Sequence, residues 1–169
     1  LYSDYSLGRF FAEAARQPWF ENTIFLVTAD HCASSAGRTE IPLQKYHIPA
    51  LILAPGLIEP GVVDGIVSQI DLMPTLLSLL NMSYDSHFYG RSIFDPAYVN
   101  RAFIATYQDL GYLEGDTFTI LSPVRRFEQY RVVPTEENPH HLETMERKDA
   151  MQVDRAIGYY QTSCKWNKR

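Results

Sequence analysis

The stretch from Thr23 to Gly56 constrains this chain most, because two apolar runs flank the polar and small sequence Thr28-Ala29-Asp30-His31-Cys32-Ala33-Ser34-Ser35-Ala36-Gly37. Ile24 to Val27 is β-branched and aromatic, too short for a buried helix and suited to a strand covered on both faces, as in a parallel sheet. The expected strand runs from Thr23 to Ala29. Asp30 and His31 then fall where the strand stops, at the carboxyl end where open α/β sheets collect their ligands. Neighbouring side chains on an extended strand point to opposite faces, so these two share one ion only if the backbone turns between them. A carboxylate oxygen beside an imidazole nitrogen suits Zn²⁺ or Mn²⁺ better than Ca²⁺, which prefers oxygen alone. By itself an Asp-His pair is a weak motif, and two donors are not a site.

The polar segment continues to Thr39 as an expected loop, small enough for its backbone and hydroxyls to approach an anionic group closely. Pro42 interrupts before Lys45-Tyr46-His47, after which Ile48 to Ala54 is expected as a second buried strand closed by Pro55-Gly56. Lys45 is a candidate to neutralise a phosphate or sulfate. His47 is a candidate hydrogen-bond donor to a leaving oxygen, although a histidine entering a strand is more often structural. Ser68 to Leu80 reads as a largely buried helix, with Asp71 as a capping candidate and Pro74 in its first turn.

Three blocks in this order, TADHCASSAG, KYHIPALILAPG and SQIDLMPTLLSLL, resemble the C-terminal half of the alkaline phosphatase and sulfatase superfamily, and within it the lipoteichoic-acid-synthase-like, phosphoglycerol transferase branch. The resemblance covers nearly the whole chain. It implies an α/β fold, the C-terminal portion of an alkaline-phosphatase-like sheet flanked by helices, with a small antiparallel β addition and a C-terminal helix. In that family the Asp-His pair supplies two ligands of a catalytic divalent metal, which by similarity gives Asp30 and His31 that role. The implied metal is Mn²⁺ or Zn²⁺ first, with Mg²⁺ or Ca²⁺ as alternatives. A serine at about the place of Ser35 contacts substrate in relatives, while many carry Gly where this chain has Cys32. The Asp-Leu-Met-Pro-Thr-Leu-Leu block is structural in the family, so Asp71 is assigned capping over catalysis.

Transfer of a phosphoryl or sulfuryl group also needs a nucleophile and an acid for the leaving oxygen. No cysteine stands in the Cys-x-Pro-x-Arg context of the sulfatase nucleophile, since the two present read Cys32-Ala33-Ser34 and Cys164-Lys165-Trp166. In phosphoglycerol transferases the nucleophile is a threonine in an N-terminal half that this sequence lacks. The resemblance therefore implies a C-terminal part of a metal-dependent enzyme acting on phosphate or sulfate esters, with glycerophospholipids or glycans among the substrates and with the N-terminal half of the same protein as its partner. The branch implies a membrane-anchored parent on the extracytoplasmic, periplasmic face of the bacterial inner membrane. The competing reading is a non-catalytic extracytoplasmic domain that keeps the fold and binds a glycan or a protein.

The remaining features bound these readings. A chain of 169 residues can bury one sizeable core, so one domain is expected over 1–169, with 1–98 as the α/β part and 99–169 as antiparallel strands and a terminal helix. It begins at Leu1 and passes almost at once into helix-like sequence, as expected of a piece of a longer protein. The formal charge of −5 and the lack of a basic cluster longer than Arg125-Arg126 argue against nucleic acid. No apolar run reaches the ~20 residues of a membrane span. Two cysteines neither establish nor exclude a bridge. Ser3 to Arg16 places Leu7, Phe10, Phe11 and Ala14 on one helical face, and Trp19 and Phe20 are expected to pack under the following strand. Ala102 to Tyr107, Thr117 to Leu121 and Tyr130 to Val133 are β-prone, with Glu114-Gly115-Asp116 as a hairpin turn. His140-His141 lies in a polar loop to which no function is assigned, and a helix is expected over Met145 to Ser163.

Overall fold

The structure, a computed structural model, describes residues 2–32 and 41–166. The expected loop from Ala33 to Thr39, with Ser35, lies outside them. Two compact units interleave in the sequence, Leu1–Asp30 with Ile48–Val63 and His31–His47 with Asp64–Arg169.

In the first unit, helix α1 (Tyr2–Ala14) buries Ala14 and half-buries Leu7 and Phe11, while Phe10, on the edge of that stripe, is 47% exposed. The helix stops short of Pro18, whose ring disfavours helical angles in the residue before it. Strand β1 (Phe25–Thr28) pairs antiparallel with β2 (Ala50–Leu53), from Phe25↔Leu53 to Thr28↔Ala50. Phe25 gathers the aromatic side chains: the rings of Phe11 and Phe20 lie 5.4 Å from it, Phe10 6.0 Å and Trp19 6.2 Å. The aromatics read as packing under the strand therefore do so. The parallel, fully covered environment does not hold for these two strands, because their ladder is antiparallel and Leu51 is 53% exposed. The short apolar runs report β propensity, and neither partner nor direction is written in them. The ladder ends early for a local reason. Pro49, next after Ala50 toward the open end, has no N–H to give, and its carbonyl accepts from Thr28 Oγ1 at 3.2 Å.

In the second unit, β3 (Arg101–Ala105), β4 (Leu110–Glu114), β5 (Thr117–Ser122), β6 (Arg126–Val132) and β7 (Leu142–Thr144) form an antiparallel meander in chain order. The three β-prone runs correspond to β3, β5 and β6. Gly115 makes the β4–β5 turn at φ +59°, a conformation that glycine adopts without steric cost. Strands β4 and β7 carry no long β-branched run and were not expected. Helix α3 (Ala150–Trp166) packs on β5 and starts five residues later than the expected Met145, because the Asp149 carboxylate accepts from Gln152 N–H at 3.1 Å and caps it there. The apolar core comprises Ile41, Leu43, Ile104, Leu113 and Phe118.

A 3₁₀ turn at Gln69–Asp71 leads into α2 (Leu72–Leu79). Asp71 Oδ2 accepts from Ser68 N–H at 3.1 Å, which is the capping role read from the sequence. The helix is less buried than expected: Pro74 and Thr75 are buried, and Met73 is 50% exposed. Asp71 does more than cap. Its side chain is fully buried and meets the Arg101 guanidinium, itself 3% exposed, at 3.1 Å. It also accepts from Tyr98 Oη at 2.9 Å and from Arg91 N–H at 2.9 Å. Burial opposes the charge on Arg101, and hydrogen bonds to Asp71 more than offset that, raising its pKa; burial and the Asp71 charge raise the Tyr98 phenol. Gly90 allows the 90–91 turn to approach, since a Cβ there would sit 1.9 Å from the Ile70 carbonyl oxygen. No helix among the described residues is long and apolar enough to cross a membrane.

Removing one member of a buried ion pair strands the other's charge, at a cost of ~3–5 kcal/mol, whereas replacing both by apolar groups is nearly neutral. Urea unfolding of Asp71→Ala is therefore expected to show a loss of about that size, and Asp71→Leu combined with Arg101→Met a smaller loss than either single change. Equal or larger loss in the double variant would show that the pair is not the anchor described.

Candidate functional site

The candidate residues are divided between the two units. Asp30 follows the last ladder pair by two residues, is exposed, and belongs to the first unit. His31 opens the second unit, also exposed. Its Nδ1 lies 3.0 Å from the Cys32 carbonyl oxygen. A carbonyl only accepts, so in the neutral imidazole Nδ1 carries the hydrogen and Nε2 the lone pair, the arrangement in which a histidine ligates a metal. The donor set thus fits a divalent cation as far as it goes. Among the described residues no group of three His, Cys, Asp or Glu side chains could hold a metal ion.

Within the second unit, Cys32 Sγ donates to the His47 carbonyl oxygen at 3.2 Å and ties the 31–32 segment to the 45–47 segment. Cys32 and Cys164 are not bridged to each other, and both remain thiols. Lys45 is half-buried at the end of the 3₁₀ turn Leu43–Lys45, where its N–H donates to the Pro42 carbonyl at 2.8 Å. Tyr46 follows, packs against the apolar core and donates through Oη to the Ala105 carbonyl at 3.4 Å. Its neighbour His47 meets His140 from the loop between β6 and β7, Nδ1 to Nε2 at 3.2 Å, with the rings at 85°.

His140 is the residue that sequence reasoning left without a function and that the fold brings to a candidate. It is 93 residues from His47 in the chain, and no local spacing signals the meeting. Its loop is closed by Asn138, whose Oδ1 accepts from His140 N–H at 2.9 Å and whose carbonyl accepts from Thr135 N–H at 3.0 Å. Burial first, and the neighbouring His47 second, lower the His140 pKa below its ordinary value. None of the candidate residues lines the cleft of about 410 Å³ between α2 and the 82–95 segment, which includes Ser78, Met82, Tyr84, Arg91 and Phe94.

The sulfatase family model matches residues 1–82. A crystal structure of a protein in the alkaline phosphatase superfamily from Vibrio parahaemolyticus superposes with a TM-score of 0.80 at 31% identity, over 96% of this chain and 41% of that one. The chain thus spans less than half the length of that relative.

A histidine with a depressed folded-state pKa adds stability above the unfolded value of about 6.5. That contribution is lost as the pH falls through the folded pKa. In an NMR titration the His140 ring is expected to protonate below pH ~6.5, and His47→Gln to move the midpoint part of the way back, since burial remains. A midpoint at or above the ordinary value would contradict the packing described.

Proposed function

The chain belongs to the alkaline phosphatase and sulfatase superfamily, and from that premise we propose that it is the C-terminal part of a metal-dependent enzyme acting on phosphate or sulfate esters, of the phosphoglycerol transferase kind. The observation that carries this reading is the Asp30-His31 pair at the end of β1, with the His31 tautomer set for ligation by the Cys32 carbonyl. A divalent cation, Mn²⁺ or Zn²⁺ first, would supply charge stabilisation to the non-bridging oxygens of the ester. Asp30 supplies a hard oxygen and His31 a nitrogen. Ser35 and Lys45 serve the anionic group, the lysine as a point charge. His47 donates a hydrogen bond to the leaving oxygen.

The nucleophile and the remaining ligands belong to the rest of the parent protein, which supports the view that this part alone does not turn over. Exposed Leu51 and the two-stranded ladder support a parent whose further sheet covers this unit. The parent's place at the extracytoplasmic face of the bacterial inner membrane rests on the resemblance to its branch.

Calorimetry with Mn²⁺ and Zn²⁺ on the full-length parent is the test. Asp30→Ala and His31→Ala are each expected to weaken binding by more than the ~10–100-fold typical of residues that merely support a ligand, and to remove turnover of a phosphodiester. The 169-residue chain alone is expected to show no turnover above that of the same chain carrying both substitutions. Metal affinity unchanged in both parent variants would overturn the reading and favour a glycan- or protein-binding domain that keeps the fold.

A further inference from the structure

We propose that His47 and His140 form a transition-metal site of their own, separate from the Asp30-His31 ligands. The geometry is that of two ligands around one ion. A tetrahedral cation with nitrogens at ~2.0–2.1 Å holds any two of them about 3.3–3.4 Å apart. His47 Nδ1 and His140 Nε2 stand 3.2 Å apart, with the ring planes nearly perpendicular. Without an ion one proton must lie between the two nitrogens, because two lone pairs at this distance repel. A cation takes the place of that proton, which moves to the outer nitrogen of the same ring. Two neutral imidazoles therefore bind the metal with no net change in proton count.

Both rings are carried by ordered backbone, so little freedom is lost on binding. His47 is flanked by Tyr46, which is packed into the core, and its own carbonyl is held by Cys32. His140 sits in the loop closed by Asn138, and the next residue, His141, accepts from Val133 N–H at 2.9 Å. Burial of His140 favours the neutral, ligating form. Imidazole nitrogen selects Zn²⁺, Cu²⁺ or Ni²⁺ over Mg²⁺ and Ca²⁺. Among the described residues no third metal-binding side chain joins the pair. Water completes the coordination, and the site is open and exchangeable.

The test uses the 169-residue chain with Asp30→Asn and His31→Gln, which removes the other two donors, and Zn²⁺ alone as the probe. Calorimetry is expected to show one equivalent bound. Ring resonances of His47 and His140 should shift together, and those of His87 and His141 should not. His47→Gln or His140→Gln added to that background should each weaken Zn²⁺ binding by at least about tenfold, while His141→Gln leaves it unchanged. If either glutamine variant fails to fold, the paired ring shifts decide the matter in the histidine-intact background. Saturating Zn²⁺ that leaves both rings unshifted, or an affinity indifferent to either substitution, would overturn the proposal and leave a hydrogen-bonded histidine pair.

Discussion

The buried contact between Asp71 and Arg101 is the constraint on which most of the second unit depends. One carboxylate, fully removed from solvent, accepts from Ser68 N–H ahead of the 3₁₀ turn that leads into α2, from the 90–91 turn, from Tyr98 and from the first residue of β3. Four segments spread over some thirty residues of chain are thereby referred to a single point. The guanidinium is in turn surrounded by the rings of Tyr98, Phe103 and Tyr159, with Cζ 5.4–5.8 Å from their centroids. Aromatic faces partly replace the hydration that the cation loses. Such a node specifies geometry more than it stabilises, since an apolar replacement of both partners would cost little. Its consequence is positional: β3 cannot slide against α2 without exposing a charge to the apolar interior.

A second polar knot sets the register of α3 on the sheet. Gln152, 2% exposed, accepts from Thr119 Oγ1 at 2.7 Å and donates to the Thr117 carbonyl at 2.9 Å, while Gln129 accepts from Asp149 N–H at 2.7 Å. Buried amides are tolerated only when satisfied, and here donors and acceptors of helix and sheet satisfy one another. This explains what could be read from the sequence and what could not. The helical stripe of α1, the cap at Asp71 and the glycine turn at Gly115 are local, and each appears within a few residues of chain. The contacts from Gln152 to β5 and from Arg101 to Asp71 join residues at least thirty apart, and nothing in a polar side chain announces which partner it will meet. The β1–β2 ladder belongs to the same class of missing information. Ile24 to Val27 correctly reads as strand, but an apolar run records neither its neighbour nor its direction.

The candidate site divides along the same line. Asp30 and His31 could be singled out as candidates because they are adjacent and end a strand, and because the motif around them carries a family resemblance. The tautomer of His31 was not legible, since it depends on where the Cys32 carbonyl lies. His140 was invisible as a site residue for a topological reason. The β6–β7 loop reaches His47 only after five strands have been laid side by side.

Cys32 is where sequence and structure meet most usefully. The resemblance read from the sequence implies glycine at this place, and a thiol beside a candidate ligand suggests either crowding or a softer metal. In the fold the thiol has a third role: its S–H is given to the His47 carbonyl at 3.2 Å, so the side chain staples the segment that carries His31 to the segment that carries His47. Glycine would leave that link unmade and both segments less constrained. Cys32 therefore acts on the position of the imidazoles of His31 and His47, and through His47 it also bears on His140.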